Sequence, residues 1–219
     1  GCGKSTLLHV VAGLLRPHSG TFRFDGRELR GVNTSVGYMT QTDTLLPWRT
    51  VEGNIALPLK LRKVPRDEIR DRVAELLAFL NLEAAATRYP AQLSGGMKRR
   101  CLLARSMIYR PEVLLMDEPF AAVDAQLRED LHEEVTRVAA ELGQSILFVT
   151  HDVSEAALLS DRVLVLGGTP TTIVSELASP FSPDTPLPER RTSDVGVEYD
   201  HALRAALDAA TGPHGHANR

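Results

Sequence analysis

Val113-Leu114-Leu115-Met116-Asp117-Glu118-Pro119 is the stretch whose reading decides the fold. Its first four residues are apolar on consecutive positions, without the alternation of a strand that has one wet face. That pattern suits a strand buried on both faces of a parallel sheet. Two carboxylates, Asp117 and Glu118, follow directly, at the end of such a strand where ligands sit in open α/β sheets.

Working outward, Ser145 to Val149 reads as a second buried strand and Val163 to Leu166 as a third. Helical patterns lie between them. Ser94 caps a long helix through Ile108, ended by Arg110-Pro111. Asp124 to Leu142 is amphipathic and closed by Gly143, and Ser154 to Leu159 is a short helix. Upstream, Lys4 to Leu14 has apolar residues at helical spacing. Thr21 to Phe24 alternates and meets the turn signal Asp25-Gly26, and Val36 to Met39 reads as a short strand. Val51 to Leu61 and Asp67 to Leu80 read as helices around Val64-Pro65. Strands alternating with helices imply a doubly wound α/β sheet. After about Leu177 the composition turns Pro-rich and polar, which predicts an extended linker, a final helix over Tyr199 to Ala210 and disorder from Gly212 to Arg219. No internal repeat or heptad run is visible.

Composition narrows the function. The 219 residues carry a formal net charge of -3, so no basic face points to nucleic acid. The apolar runs are strand-sized, far short of the roughly 20 residues that span a bilayer. A membrane would have to be reached through a partner. Cys2 and Cys101 are the only cysteines, too few for a disulfide framework in a chain with no secretory signal.

Gly1-Cys2-Gly3-Lys4-Ser5-Thr6-Leu7-Leu8 is a glycine-rich loop running into a helix start. Such a loop presents backbone N–H groups and the positive end of the helix dipole to phosphate. Lys4 could reach the β- and γ-phosphates of a nucleotide, and the Ser5 hydroxyl could ligate Mg²⁺. The same residues could also form a helix N-terminus that binds no nucleotide. The full pattern needs another glycine before Gly1, and the sequence opens without Met, so its beginning reads as a truncation. With a phosphate loop upstream, Asp117 could hold Mg²⁺ directly or through water, and Glu118 could polarise an attacking water as general base. Alone, the two carboxylates could equally be solvated turn residues. Leu93-Ser94-Gly95-Gly96-Met97-Lys98-Arg99-Arg100 opens a second helix with a Ser and two glycines, whose hydroxyl and amides are free to donate to an anion. A plain N-cap with a flexible start would look the same. Cys2 could be a reactive thiol beside phosphate or a small residue tolerated in a loop.

In this order the motifs resemble those of the ABC ATPases, over nearly the whole chain. Leu93 to Gly96 looks like their signature sequence, between a phosphate loop and an Asp-Glu strand. Gln41 matches the Q-loop glutamine, which implies sensing of Mg²⁺ and the attacking water. Ala121-Ala122-Val123-Asp124 resembles the D-loop, whose Asp124 would help align two halves of a dimer. Thr150-His151-Asp152 matches the switch histidine, which would contact the γ-phosphate and hold Glu118 and its water. The resemblance implies a P-loop NTPase fold with a mostly parallel sheet flanked by helices, and a helical subdomain at about 50–110 within an ATPase domain over 1–178. Residues 179–219 would be linker and tail, and the N-terminal strands and an adenine-stacking aromatic would be missing. It also implies that Lys4, Ser5, Asp117 and Glu118 of one subunit face Ser94 and Gly96 of a second across the same ATP.

Leu45-Leu46-Pro47-Trp48-Arg49-Thr50-Val51-Glu52-Gly53-Asn54 resembles importers of the nitrate, sulfonate, taurine and bicarbonate group. There the segment after the Q-loop faces the permease, so Trp48 is a candidate for the docking surface. The implied partners are a second ATPase subunit, permease subunits and, indirectly, a substrate-binding protein, at the cytoplasmic face of the membrane. Two positions depart from the family pattern. Arg99 stands where Gln is more usual, and the D-loop lacks the usual Ser. The alternatives are an impaired ATPase fragment, or a non-transport ABC ATPase of the DNA-repair or translation kind. The short interval from Ser5 to Ser94, with no coiled-coil heptads, speaks against the repair type.

Overall fold

The computed structural model describes residues 2–121 and 123–211. The phosphate-loop residue Gly1, Ala122 of the D-loop motif and the tail Gly212 to Arg219 lie outside the described residues. The chain divides into two compact units: one holds the residues up to Leu7 together with those from Thr150 onward, and the other is Leu8–Val149.

Helix α1 (Lys4–Val11) enters the Leu8–Val149 unit at Leu8. A hairpin of β1 (Arg23–Phe24) and β2 (Arg27–Glu28) follows, then β3 (Val36–Met39). The hairpin turn is Asp25-Gly26, both at positive φ (47° and 73°), as the shortest right-twisting hairpins require. Helices α2 (Val51–Ile55), α3 (Leu57–Leu61), α4 (Arg66–Phe79) and α5 (Gly95–Met107) lead to β4 (Val113–Asp117), α6 (Ala125–Leu142) and β5 (Ser145–Val149).

Strands β3, β4 and β5 form a parallel sheet with β4 in the middle. Leu114, Leu115 and Met116 are fully buried, as the unbroken apolar run requires. Burying each such side chain contributes roughly 1.5–3 kcal/mol. Leu8 and Ala12 of the α1 segment pack against Val36, Leu115 and Val149. The second strand departs from expectation. β5 alternates half-buried and exposed positions up to Val149, and Leu147 is 36% exposed. It is the last strand of its sheet, and among the described residues nothing pairs with its outer side.

The helix expected over Val51 to Leu61 is two helices. Pro58 lacks an N–H and cannot continue the ladder, so α3 restarts with Pro58 in its first turn. Asn54 is fully buried in α2. Its amide donates to the carbonyls of Leu46, Arg49 and Thr50 and accepts from the Leu46 N–H, zipping up the loop that carries Trp48. Ser94 acts as the expected N-cap of α5, and the structure adds Asp124 as the N-cap of α6. Gly143 ends α6 in the left-handed conformation at φ 60°.

In the other unit α7 (Val153–Leu159) precedes the antiparallel pair β6 (Arg162–Gly167) and β7 (Thr172–Ala178). Val163 to Leu166 is a strand as expected, but its described pairing is with β7, not within the parallel sheet. The Pro-rich stretch is not simply extended. It contains α8 (Leu187–Thr192) and leads into α9 (Asp194–Thr211). The buried Arg190 holds it together. Its guanidinium donates to the carbonyls of Thr185 (2.9 Å), Leu158 (3.3 Å), Ser182 (2.9 Å) and Pro183 (3.0 Å). Gly196 lets α9 pass close by, since a Cβ there would lie 1.9 Å from the Arg190 carbonyl oxygen. Tyr199 and Leu203 of α9 then pack on Ala157 of α7. Among the described residues, no helix is long and apolar enough to cross a membrane.

Candidate functional site

At the start of α1 the chain turns through Gly3 in the left-handed region, φ +87°, with open space where a Cβ would point. The first turn closes with the Leu7 N–H donating to the Gly3 carbonyl at 2.9 Å. Amides at such a start point out of the helix end. Glycine offers no side-chain cap, and the first turn contains no acidic residue. Lys4 sits at the first helical position, where the dipole disfavours a cation. Its ammonium folds back over the loop, 3.6 Å from the Cys2 Sγ. A cation held over a positive helix end, beside an open glycine, suits the phosphates of a nucleotide.

β4 carries Asp117 and Glu118 out of the core. Asp117 is buried, and its Oδ2 lies 3.5 Å from the Tyr38 hydroxyl. Burial, reinforced by the Asp117 carboxylate, pushes the Tyr38 hydroxyl up to about 12, so Tyr38 faces Asp117 as a neutral donor. A carboxylate at the end of a buried strand suits Mg²⁺, a hard cation that takes oxygen ligands. At Glu118 the backbone enters the left-handed region at φ 45°. A non-glycine residue there costs roughly 1–3 kcal/mol, and such strain clusters at functional sites. The Glu118 N–H remains tied to the sheet through the Val149 carbonyl at 2.9 Å. The Gln41 amide donates to Glu118 Oε2 at 3.1 Å, across 77 residues of sequence. The structure thus joins two of the expected catalytic residues directly.

The second glycine-led start differs. The Ser94 Oγ accepts from the Met97 N–H at 3.3 Å, which leaves its own hydroxyl proton available to donate. Ser94 and Gly95 are exposed, and a Cβ at Gly96 would meet Leu127 Cδ1 of α6 at 2.5 Å. Asp124 Oδ1 accepts from the Leu127 N–H at 3.0 Å, so this carboxylate caps α6.

Gln41, Ser94, Gly95, Gly96, Asp117, Glu118 and Asp124 all belong to the Leu8–Val149 unit. Cys2, Gly3, Lys4, Ser5, Thr6 and His151 belong to the other. His151 is exposed in the turn between β5 and α7. Its neighbours are pinned: the Thr150 hydroxyl donates to Glu155 Oε2 at 2.6 Å, and the Asp152 carboxylate caps α7 through the Ser154 N–H at 2.8 Å. Sequence reasoning passes over Tyr38. Its only signal is a hydroxyl-bearing aromatic on the strand that precedes Gln41.

The model of the ABC transporter family matches residues 1–121. The aliphatic sulfonates import ATP-binding protein SsuB 1 of Xanthomonas axonopodis is 48% identical over 174 residues, which are 79% of this chain and 69% of that one. The nitrate import ATP-binding protein NrtC of Synechococcus elongatus is 41% identical over 209 residues, 94% of this chain, and the chain spans 31% of that relative's length. Among solved structures, the ATP-binding cassette MJ0796, in a dimeric post-hydrolysis state bound to ADP and Pi, superposes with a TM-score of 0.65 at 28% identity, covering 74% of this chain and 75% of that one. The fold is the P-loop NTPase fold that the family resemblance implied. The chain belongs to the ABC transporter family.

Proposed function

We propose that this chain is the ATP-binding and ATP-hydrolysing subunit that powers import through a membrane transporter of the nitrate, sulfonate or taurine type. The observation that carries the reading is the Gln41–Glu118 hydrogen bond at 3.1 Å, made where the strained Glu118 leaves the central parallel strand. The catalytic domain is residues 1–178, with its helical subdomain at about 50–110.

In this reading the Gly1–Thr6 loop cradles the phosphates through its amides, and the Lys4 ammonium neutralises charge on the outer two. Ser5, Asp117 and Gln41 hold Mg²⁺, which when bound draws charge from the phosphate oxygens. Glu118 accepts a proton from the attacking water, and Gln41 and His151 keep that water and the carboxylate in line. Ser94, Gly95 and Gly96 of a second copy close on the same nucleotide, and Asp124 helps align the two copies. The permease docks on the side carrying Trp48, which is 70% exposed. The subunit then works at the cytoplasmic face of the membrane, coupled through the permease to a substrate-binding protein.

Glu118→Gln is the test. It should keep ATP binding and ATP-driven dimerisation while turnover falls at least about a hundredfold. Hydrolysis at the unaltered rate would remove Glu118 as the base.

A further inference from the structure

Gln41 and Glu118 touch each other, and the segments that follow them are both tied to α5. Arg105 forks onto Thr44, just past Gln41: Nη1 donates to its carbonyl at 2.8 Å and Nη2 to its hydroxyl at 2.6 Å. Lys98 adds an ion pair to Asp43 at 3.5 Å. On the other segment, the Ala121 N–H donates to the Glu118 carbonyl at 3.2 Å, closing the turn that begins at the catalytic carboxylate. Arg99 Nη2 donates to the Ala121 carbonyl at 3.3 Å. Arg99 is half-buried, and its Nη1 is buried without a hydrogen bond among the described residues. This guanidinium has therefore given up hydration at a position where the chain departs from the usual Gln. In return it gains the Ala121 carbonyl and the field of the Asp43 carboxylate.

We infer that Arg99 and Arg105 are positioning residues through which α5 sets the placement of Gln41 on Glu118. The inference rests on the ATPase reading and deepens it. There the N-terminus of α5 meets the nucleotide bound by the other copy, so α5 carries that contact back to its own subunit's carboxylate. Neither arginine touches the reacting atoms. Arg105 needs its planar fork to reach carbonyl and hydroxyl together, which a lysine cannot reproduce.

The test compares the full chain with Arg99→Met, Arg105→Met, Arg105→Lys and the double methionine variant, by steady-state ATPase kinetics and amide hydrogen exchange. Each single methionine variant should lose about tenfold in kcat, with KM for ATP within about twofold. Arg105→Lys should recover only part of the loss. The double variant should lose less than the product of the single losses, because both release the same pair. Exchange should quicken at Phe120 and Ala121 in Arg99→Met and over 42–45 in Arg105→Met. Normal wild-type turnover with unchanged kcat in the variants, with KM rising in step, or with unchanged exchange in those segments overturns this inference alone. A wild-type chain that neither binds nor hydrolyses ATP overturns the ATPase reading and this inference with it.

Discussion

Two helices of this chain begin on glycine-rich sequence, and they begin differently. α1 starts from Gly3, which has no side chain, and puts the Lys4 ammonium back over its own positive end. α5 starts from Ser94, which satisfies the Met97 N–H, and seats Gly96 against Leu127. Neither has an acidic residue in its first turn. The first start is electrostatically unfinished without an anion, because cation and dipole repel. The second is nearly complete within its own chain and presents a finished corner to whatever approaches. Similar residue types thus suit opposite tasks: holding a nucleotide and closing on one held elsewhere.

One cysteine lies just before α1 and the other in the middle of α5, which gives the largest expected contrast. Burial pushes the Cys101 thiol in α5 up to about 12, whereas Cys2 is only partly covered. At pH 8 a thiol near 12 holds about one thiolate in ten thousand. Iodoacetamide should therefore label Cys101 far more slowly than the partly covered Cys2 in the folded chain. Labelling of Cys101 should rise steadily as pH is taken toward 12. Comparable labelling of both at pH 8, read by mass spectrometry, would break the contrast.

Next is Lys4→Met, which should weaken ATP binding about a hundredfold by calorimetry, since it removes one partner of a charged contact. Ser94→Ala should leave the affinity of the isolated subunit alone but lower turnover about tenfold. It should also lose about 1 kcal/mol of stability with the cap, seen as a lower Tm. Equal losses of affinity in both variants would mean that the two starts do the same job. The smallest effect belongs to Gly96→Ala, where crowding of Leu127 should cost about 1 kcal/mol. Gly96→Ala combined with Leu127→Ala should relieve that crowding, and no rescue in thermal denaturation would mean that the close approach of α5 to α6 is not what limits residue 96.

The central strand is legible in the sequence because a short run of consecutive apolar residues fits little except a strand covered on both faces, and β4 is buried as its pattern requires. The cap at Ser94 and the stop at Gly143 are legible because each is a local hydrogen bond or a local φ. What escapes is non-local. The period of Val51 to Leu61 is helical throughout, and only the missing donor at Pro58 splits it. β7, in Thr172–Ala178, mixes polar and apolar residues and gains its identity from pairing with β6. α9 opens five residues before the expected Tyr199, because Val195 and Gly196 are weak helix formers on their own. At the candidate site, residue types suggest Glu118 and family order suggests Gln41, but their contact spans 77 positions. Tyr38 shows only as an aromatic on the strand before Gln41, Arg105 carries no local signature, and Arg99 shows only as a departure from a pattern.

Arg190 has a practical consequence for anyone cutting or shortening this chain. A Pro-rich stretch between folded parts is where a protease usually enters. Here one buried guanidinium holds the carbonyls of Ser182, Pro183 and Thr185, and cleavage needs just such carbonyls to swing outward. Subtilisin should pass over this stretch while it stays folded. A chain ended at Ala178 would lose both its clasp and the Tyr199–Leu203 cover on Ala157, leaving α7 with a greasy flank that invites aggregation.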